Sequence, residues 1–155
     1  MSNIDQSALD QAKEMLATSV PFAQHVGVSV TSVVDGLAMA TLGDDEFTKN
    51  HVGIHHSGAL FTVGQAASGA ALAGVMADVL LEMHPLVKSA SISYRKPASG
   101  VITATASTSK PGSKARSEYA ANGRTTFLID VSMTNSDGDE VASMNVEWVV
   151  TRPTG

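Results

Sequence analysis

The chain has 155 residues, of which 43% are hydrophobic, and it contains no cysteine. This length fits one domain, because domains typically run to roughly 100 to 200 residues, and we predict a single domain over residues 1–155. Without cysteine there is no disulfide, no thiolate nucleophile and no thiolate-bound zinc. The first residues carry acids and lack an apolar stretch, which argues against a secretory signal and predicts a cytoplasmic protein.

The formal net charge of −5 argues against broad nucleic-acid binding. The charge is unevenly distributed, because six basic residues and a single acid, Glu118, lie from Arg95 to Arg124. That window carries six minus one, or +5, and the rest of the chain carries −10. The window either binds the phosphates of a small molecule or forms a solvated basic face, and the sequence alone leaves both interpretations open.

Periodicity and turn residues predict the order helix, two strands, helix, four strands. Apolar residues recur at helical spacing in the leading helix, and Pro21 follows it as a stop. Asp35-Gly36 and residues 135–138 are hairpin signals, and residues 96–100 are a turn-type connector. The predicted elements are a leading helix at 5–17 within a leading segment of 1–19, strands at 26–34 and 37–42, a long helix at 58–81, strands at 87–94 and 101–108, a short helix at 113–121, and strands at 125–134 and 140–151.

The long helix has no charged residue from Gly58 to Ala77, and a stretch of about 20 uncharged residues can cross a bilayer. Its composition argues against a membrane span, because it is rich in Gly, Ala, Ser and Thr, includes Gln65, and has no aromatic belt. We therefore predict a buried helix that continues to Leu81, roughly 35 Å long at 1.5 Å per residue, in a protein without membrane contact. Its small residues allow close backbone approach, which a sheet wrapped around the helix would require.

Three motifs carry a resemblance to a known family. Residues 50–69 read NHVGIHHSGALFTVGQAASG and resemble the pattern N-x-x-G-x-x-H-G-G-x-x-x-x-L-A-(D/E) of PaaI-like hotdog thioesterases. Residues 94–100 (YRKPASG) are similar to the family's Y-x-x-P-A-x-G, and residues 137–142 (DGDEVA) are similar to its closing hairpin. The resemblance covers roughly residues 20–151, with the same order of elements.

The resemblance implies a hotdog fold of the α+β class, in which an antiparallel β-sheet wraps around the long central helix. It also implies assembly into a homodimer or homotetramer, with active sites in the dimer interface. The implied substrate is an acyl-CoA or a related thioester, and no cofactor is implied.

Thioester hydrolysis needs hydrogen-bond donors for the carbonyl oxygen as it becomes an oxyanion, and N–H groups at a helix N-terminus supply them. Ser57 and Gly58 lie where the long helix is predicted to start, and Ser57 replaces the family's first Gly or serves as the N-cap instead. The resemblance implies that Asn50 and His56 line the acyl site, while a loop-closing hydrogen bond is the other interpretation of His56. The residues assigned to substrate binding are Phe61 and Ser68 on the helix and, for the CoA phosphates, Arg95, Lys96, Lys114 and Arg116.

Gln65 occupies the position at which the family has its carboxylate nucleophile or general base. A primary amide can hold water or the acyl group by hydrogen bonds, but it cannot remove a proton near neutrality. Because general base catalysis contributes roughly 100- to 10,000-fold, we expect a slow enzyme, a base elsewhere, or a protein that binds acyl-CoA without turnover. The substitute bases are His55, His56 and the acidic run 44–46, which is otherwise a solvated loop.

Other chemistries fit the sequence less well. His51 and His55 are four residues apart, but the predicted loop and the lack of a third ligand argue against a metal site. Ser57 lies in no G-x-S-x-G elbow, residues 110–114 lack the spacing of a nucleotide-binding P-loop, and Gln65 removes the carboxylate that a hotdog dehydratase would need. We therefore predict a thioesterase, with a non-catalytic acyl-thioester-binding or regulatory protein as the alternative.

Overall fold

The structure is a computed structural model that describes residues 4–154, so residues 1–3 of the predicted leading segment and residue 155 lie outside the described part of the chain. The helices are α1 (Gln6–Ser19), α2 (Pro21–Val26), α3 (Ser57–Val75) and α4 (Gly112–Asn122). The strands are β1 (Val28–Val34), β2 (Leu37–Leu42), β3 (His84–Tyr94), β4 (Ile102–Thr108), β5 (Arg124–Thr134) and β6 (Glu140–Thr151). Short 3₁₀ helices lie at Glu46–Thr48 and Ala77–Glu82.

The six strands form one antiparallel sheet in the order β1-β2-β4-β5-β6-β3. The predicted hairpin at Asp35-Gly36 joins β1 to β2, and Gly36 has a φ of +83° that favours glycine. α3 packs mainly on β1, β2 and β4. The predicted α+β architecture, an antiparallel sheet wrapped around a long central helix, is confirmed.

α3 is the core helix of this fold. Its length and hydropathy would allow it to cross a membrane, but 72% of its most apolar window is buried inside the protein. The small residues of α3 permit that burial: a Cβ on Gly74 would overlap the carbonyl oxygen of Val34 in β1. The interpretation of this segment as a buried core helix is therefore supported, because the sheet already covers its apolar surface.

The predicted end of the long helix is wrong. α3 ends at Val75 rather than Leu81, and a 3₁₀ helix follows in which Val79 has a non-helical φ of −125°. β3 then begins at His84, so His84-Pro85 opens a strand instead of ending a helix. Proline is tolerated there because β3 is an edge strand, where a missing N–H need not break the ladder.

Pro21 also has a different role from the predicted one. It follows α1, but it is the first residue of α2, a position that proline favours because its missing N–H has no intrahelical partner there. α2 ends at Val26 and is capped by Gly27 at φ +87°. β1 therefore starts at Val28, two residues later than the sequence predicts.

β3 is the outermost strand next to β6, and its residues are exposed apart from the half-buried Ala90 and Ile92. Leu86 is 69% exposed and Tyr94 is 49% exposed. No element within residues 4–154 pairs with the free edge of β3. The sheet thus extends past α3 on this side and leaves one face of the helix partly open.

Candidate active site

A histidine caps the N-terminus of α3. His56 is the N-cap residue, and its Nδ1 accepts a hydrogen bond from the Gly58 N–H at 2.8 Å. Ser57 is therefore the first helical residue rather than the cap. Because Nδ1 accepts, the neutral ring carries its proton on Nε2, and neither nitrogen is a free base in this conformation. The Ser57 N–H has no hydrogen-bond partner within residues 4–154, so it is a donor that this helix end leaves open.

Asn50 shapes the loop that leads into α3. Its Oδ1 accepts hydrogen bonds from the N–H groups of Val52 and Ile54 at 3.0 and 3.3 Å, which leaves its amide N–H₂ group to donate. In the same loop Asp44 pairs with Lys49, and this hydrogen bond lowers the pKa of the Asp44 carboxyl below its ordinary value. A carboxylate held in this way is a weaker base, so Asp44 is better explained as part of the loop structure than as a substitute base.

His55 ties the same loop to the connector after β3. Its side chain is buried at 2% exposure, and its ring nitrogens lie 2.9 Å from Thr48 Oγ1 and 2.6 Å from the Gly100 carbonyl oxygen. Its backbone N–H donates to the Ala98 carbonyl at 2.9 Å. Both nitrogens of His55 are thus engaged, which leaves it no lone pair to accept a proton from a ligand.

One face of α3 is left partly open by the sheet. Gly58, Phe61, Gln65 and Gly69 recur at spacings of three and four residues, so they share that face, and each is exposed or half-buried whereas most of α3 is buried. The structure therefore brings three of the predicted site residues onto one helix face. The Gln65 side chain makes no hydrogen bond within the described residues. The hydrogen bond that Gln65 accepts from Ser68 Oγ is made by its backbone carbonyl oxygen.

Two aromatic side chains reach this face, one from the edge strand β3 and one from its neighbour β6. Tyr94 of β3 donates from Oη to the Ser57 carbonyl at 3.0 Å, and Trp148 of β6 donates from Nε1 to Ser68 Oγ at 2.9 Å. Ser57 and Ser68 are eleven residues apart, or about 16 Å along the helix. Between the two contacts lies a half-buried stretch of α3, β3 and β6 side chains, which we call the α3–β3 groove. Its lining residues are Phe61, Gln65, Ala90, Ile92 and Trp148.

Ser68, predicted to bind substrate, lies behind the groove wall. It is fully buried, and its hydroxyl donates to the Gln65 carbonyl at 2.7 Å while it accepts from Trp148. Ser68 therefore anchors the indole of Trp148. The sequence analysis missed Trp148 and the contact made by Tyr94. The alternation of β6 was the available signal for Trp148, because it places this residue on the inward face with Val146 and Val150.

Arg95 and Lys96 lie close to the N-terminal end of α3, directly after Tyr94. The Arg95 guanidinium binds Glu140 at 2.9 Å and Ser143 Oγ at 2.7 Å, and Lys96 Nζ lies 3.7 Å from Asp139. Both side chains are more than half exposed, so these pairs are weak and solvent can compete for them.

Lys114 and Arg116 lie at the opposite end of α3. Arg116 binds both carboxylate oxygens of Asp35, at 3.2 and 3.3 Å, and the Val75 carbonyl at 3.0 Å. Lys114 is exposed on α4. Since α3 has 19 residues and is about 28 Å long, one chain does not bring the four predicted phosphate-binding residues together. Acidic residues outside the basic segment 95–124 also neutralise part of its charge, as Asp35 does for Arg116.

Residues 4–154 contain no group of three or more His, Asp or Glu side chains that could hold a metal ion. Cavities also occur away from the α3–β3 groove. One of about 500 Å³ lies on the outer sheet face, where Ser91, Thr105 and Ser143 are among its lining residues. Another of about 770 Å³ lies beyond the C-terminal end of α3, next to Tyr119 and Arg152. None of the residues assigned to catalysis lines either cavity.

Comparisons with known proteins agree with this geometry. The family model described as domain of unknown function DUF4442 matches residues 10–150. Among curated proteins, none matches this sequence. Among solved structures, a Pseudomonas aeruginosa protein of unknown function described as a probable thioesterase aligns with a TM-score of 0.76 at 19% identity, covering 97% of this chain and 98% of its own.

Two further structures align over nearly their full length. The E. coli PaaI protein from the phenylacetic acid degradation operon has a TM-score of 0.74 at 19% identity, with 96% of each chain covered. A thioesterase family protein from Silicibacter pomeroyi has a TM-score of 0.75 at 18% identity, with 94% of this chain and 99% of its own covered. At these identities the likeness shows the fold, and the hotdog fold predicted from the resemblance is confirmed.

Proposed function

The chain belongs to the DUF4442 family, and from that premise we propose that it hydrolyses an acyl thioester, such as an acyl-CoA, to a carboxylic acid and a thiol. The observation that carries the proposal is the exposed N-terminus of α3, where the Ser57 N–H has no hydrogen-bond partner among the described residues and lies beside the apolar α3–β3 groove. The likeness to structures described as thioesterases supports it.

The thioester carbonyl would accept a hydrogen bond from the Ser57 N–H. The Gly58 N–H becomes a second donor when the His56 ring moves off it, because the ring is exposed and free to rotate towards solvent. The positive end of the α3 dipole then stabilises the oxyanion. Water attacks the carbonyl carbon, the C–S bond breaks, and the released thiolate takes up the proton that the water loses.

Gln65 lies eight residues after Ser57, about 12 Å further along α3, so its free amide positions this water or the acyl group only where a second copy of the chain brings it to the carbonyl. It cannot act as the base, and both ring nitrogens of His55 are engaged, so the candidate base that remains is His56 Nδ1, which is free only after the ring has left the Gly58 N–H. We therefore propose slow turnover that depends mainly on the oxyanion donors, assisted by the amide N–H₂ group of Asn50 in the adjacent loop.

The site is proposed to be completed by a second copy of the chain, in a homodimer or homotetramer. The long edge strand β3 is exposed apart from the half-buried Ala90 and Ile92, and its outer edge is unpaired within the described residues. An edge of this kind favours pairing with another chain, and pairing here would cover the α3–β3 groove. For the nucleotide end of a CoA substrate we propose Arg95 and Lys96, which follow Tyr94 in the chain and whose side-chain contacts are exposed to solvent.

The test is hydrolysis of a panel of short-chain, medium-chain, long-chain and aromatic acyl-CoAs, followed with a thiol reagent. The matched binding assay compares CoA thioesters with pantetheine thioesters that lack the nucleotide. Lys96→Gln should weaken binding of the CoA thioesters only, whereas Lys114→Gln, on the far end of α3, is the control with the same charge change. Equal losses for both thioesters in Lys96→Gln would overturn the phosphate assignment.

The alternative function is an acyl-thioester-binding protein without turnover. Gln65 in place of a carboxylate and the capped Gly58 N–H favour it. Saturable binding with no thiol release across the whole panel would establish this alternative and reject the hydrolase. The cytoplasmic location stays part of the proposal.

A further inference from the structure

Trp148 is the single tryptophan of the chain, and it is fixed in place at one end of the α3–β3 groove. Its Nε1–H donates to Ser68 Oγ, which is buried and itself bonded to the Gln65 carbonyl. Its ring lies on Gly69, since a Cβ on that glycine would be 3.4 Å from Cζ2 and 3.6 Å from Cη2. The indole is half-buried and turned to the inner side of the sheet.

The indole also lies close to Gln65 along α3. Gly69 lies four residues after Gln65 on the same helix face, about 6 Å further along α3. An acyl group whose carbonyl lies beside Gln65, in the site completed by a second chain, therefore meets the indole after one helical turn. Phe61 and Ile92 keep the neighbouring stretch of this face apolar. The ring stays over the small Gly69, because its hydrogen bond to Ser68 holds it there.

We propose that Trp148 closes the acyl end of the α3–β3 groove and sets the length of the acyl group that the protein accepts. The inference rests on the proposed function, because it assumes that an acyl thioester occupies this groove. The protein accepts short acyl groups and excludes long ones, and Ser68 acts as the positioning residue that keeps the indole in the path of the acyl chain.

The first experiment uses the indole as its own reporter. Because the chain has one tryptophan, its emission reports on this position alone. Acyl-pantetheine thioethers, which cannot be hydrolysed, are titrated into the full-length protein. A saturable blue shift with short-chain and medium-chain thioethers is the expected result, since the acyl group excludes water from a half-buried ring. Binding of these compounds measured by calorimetry without any change in emission would overturn the proposal.

The second experiment measures the acyl-length preference of Trp148→Phe and Trp148→Ala. Each methylene accommodated in an apolar pocket is worth roughly 10-fold or more in selectivity, so the ratio of kcat/KM for long against short acyl groups should rise at least about tenfold. Ser68→Ala should raise this ratio by a smaller factor, because it releases the indole without removing it. Leu128→Ala, on the outer face of β5 and 45% exposed, is the matched control and should leave the ratio unchanged.

The outcomes separate this inference from the proposed function. Folded Trp148 variants with an unchanged acyl-length preference would overturn the role of Trp148 while leaving the hydrolase intact. If no thioester is hydrolysed, the same ratio is measured from thioether dissociation constants of the Trp148 variants by calorimetry. A shift towards longer acyl groups in that assay would support Trp148 and reject only the hydrolase.

Discussion

The Nδ1 atom of His56 accepts the Gly58 N–H at 2.8 Å, so one contact both caps α3 and occupies a donor that a bound carbonyl would use. The cap and the oxyanion site therefore compete for the same N–H. Carbonyl binding at Gly58 must displace the imidazole and give up part of the helix stability, which is one physical reason to expect slow turnover.

Replacing His56 tests the capping contact. His56→Ala should lower the free energy of unfolding by about 1 kcal/mol, the typical loss when an N-cap acceptor is removed. His56→Asn should lose only a few tenths, because asparagine is itself a favourable N-cap. Urea denaturation at one fixed protein concentration measures both. An Ala variant as stable as the parent would show that the ring does not cap the helix.

Gln65→Glu tests the departure from the family pattern. Because the Gln65 side chain makes no hydrogen bond within the described residues, the carboxylate meets no acceptor there, and we expect a folded protein. Hydrolysis should rise at least tenfold, about 1.4 kcal/mol of barrier, and gain an acidic limb in its pH profile. Gln65→Met, which keeps the size but cannot hydrogen bond, is the control. No gain in a folded Glu variant would mean that the site has diverged beyond this residue.

Two glycines of α3 should respond oppositely to alanine. A Cβ on Gly74 overlaps the Val34 carbonyl oxygen, so β1 must shift, and Gly74→Ala should destabilise by about 1–3 kcal/mol. A Cβ on Gly69 makes ordinary contact with Trp148, so Gly69→Ala should gain up to about 1 kcal/mol from helix propensity. Chemical denaturation compares them. Equal stability of the two variants would contradict this packing of α3 against β1.

Glu118 should contribute stability that depends on pH. The hydrogen bond from Lys110 at 2.5 Å, followed by that from Thr125 at 2.8 Å, lowers the pKa of Glu118 below its ordinary value of 4.5. A lowered folded-state pKa means that this contribution is complete above pH 4.5 and is lost as the pH falls through the folded value. The stability difference between the parent and Glu118→Gln should therefore be largest near neutrality and shrink in acid.

That comparison has a matched variant, because Lys110→Met removes the main cause of the shift and should flatten the same pH dependence. Denaturation at a series of pH values measures all three proteins. A difference between the parent and Glu118→Gln that stays constant from neutrality into acid would exclude the ion pair as its source.

The proposed assembly predicts the behaviour of β3. Light scattering should give the mass of at least two chains at micromolar concentration, because an uncovered edge strand of this length invites pairing. Hydrogen exchange gives a sharper result. An antiparallel edge strand bonds only alternate N–H groups to its neighbour, so consecutive protected amides in residues 84–94 would require a partner strand. Alternating protection together with the mass of a single chain would remove the two-chain site.

The sequence by itself determined the order of the elements apart from α2, and it determined the central role of α3. The hairpin signal at Asp35-Gly36 predicted β2 to the residue, and alternation predicted β6 to the residue because this strand buries one face on the core. The uncharged, small-residue stretch after Ser57 predicted a helix with backbone packed closely around it. The ends of that helix were harder to predict, since local signals such as Pro21 and Pro85 permit a helix start or an edge strand as readily as a stop.

Only the tertiary structure decided which polar groups remain available. Nothing in the sequence shows that both nitrogens of His55 are engaged, that Asp35 holds Arg116, or that Ser68 is turned to Trp148. These partners are distant in the chain, apart from Thr48, and hydrogen bonds form between groups that the fold brings within about 3 Å, whatever their separation in sequence. Residue type determined which chemistry the site can perform, and chain packing determined which of those residues are free to perform it.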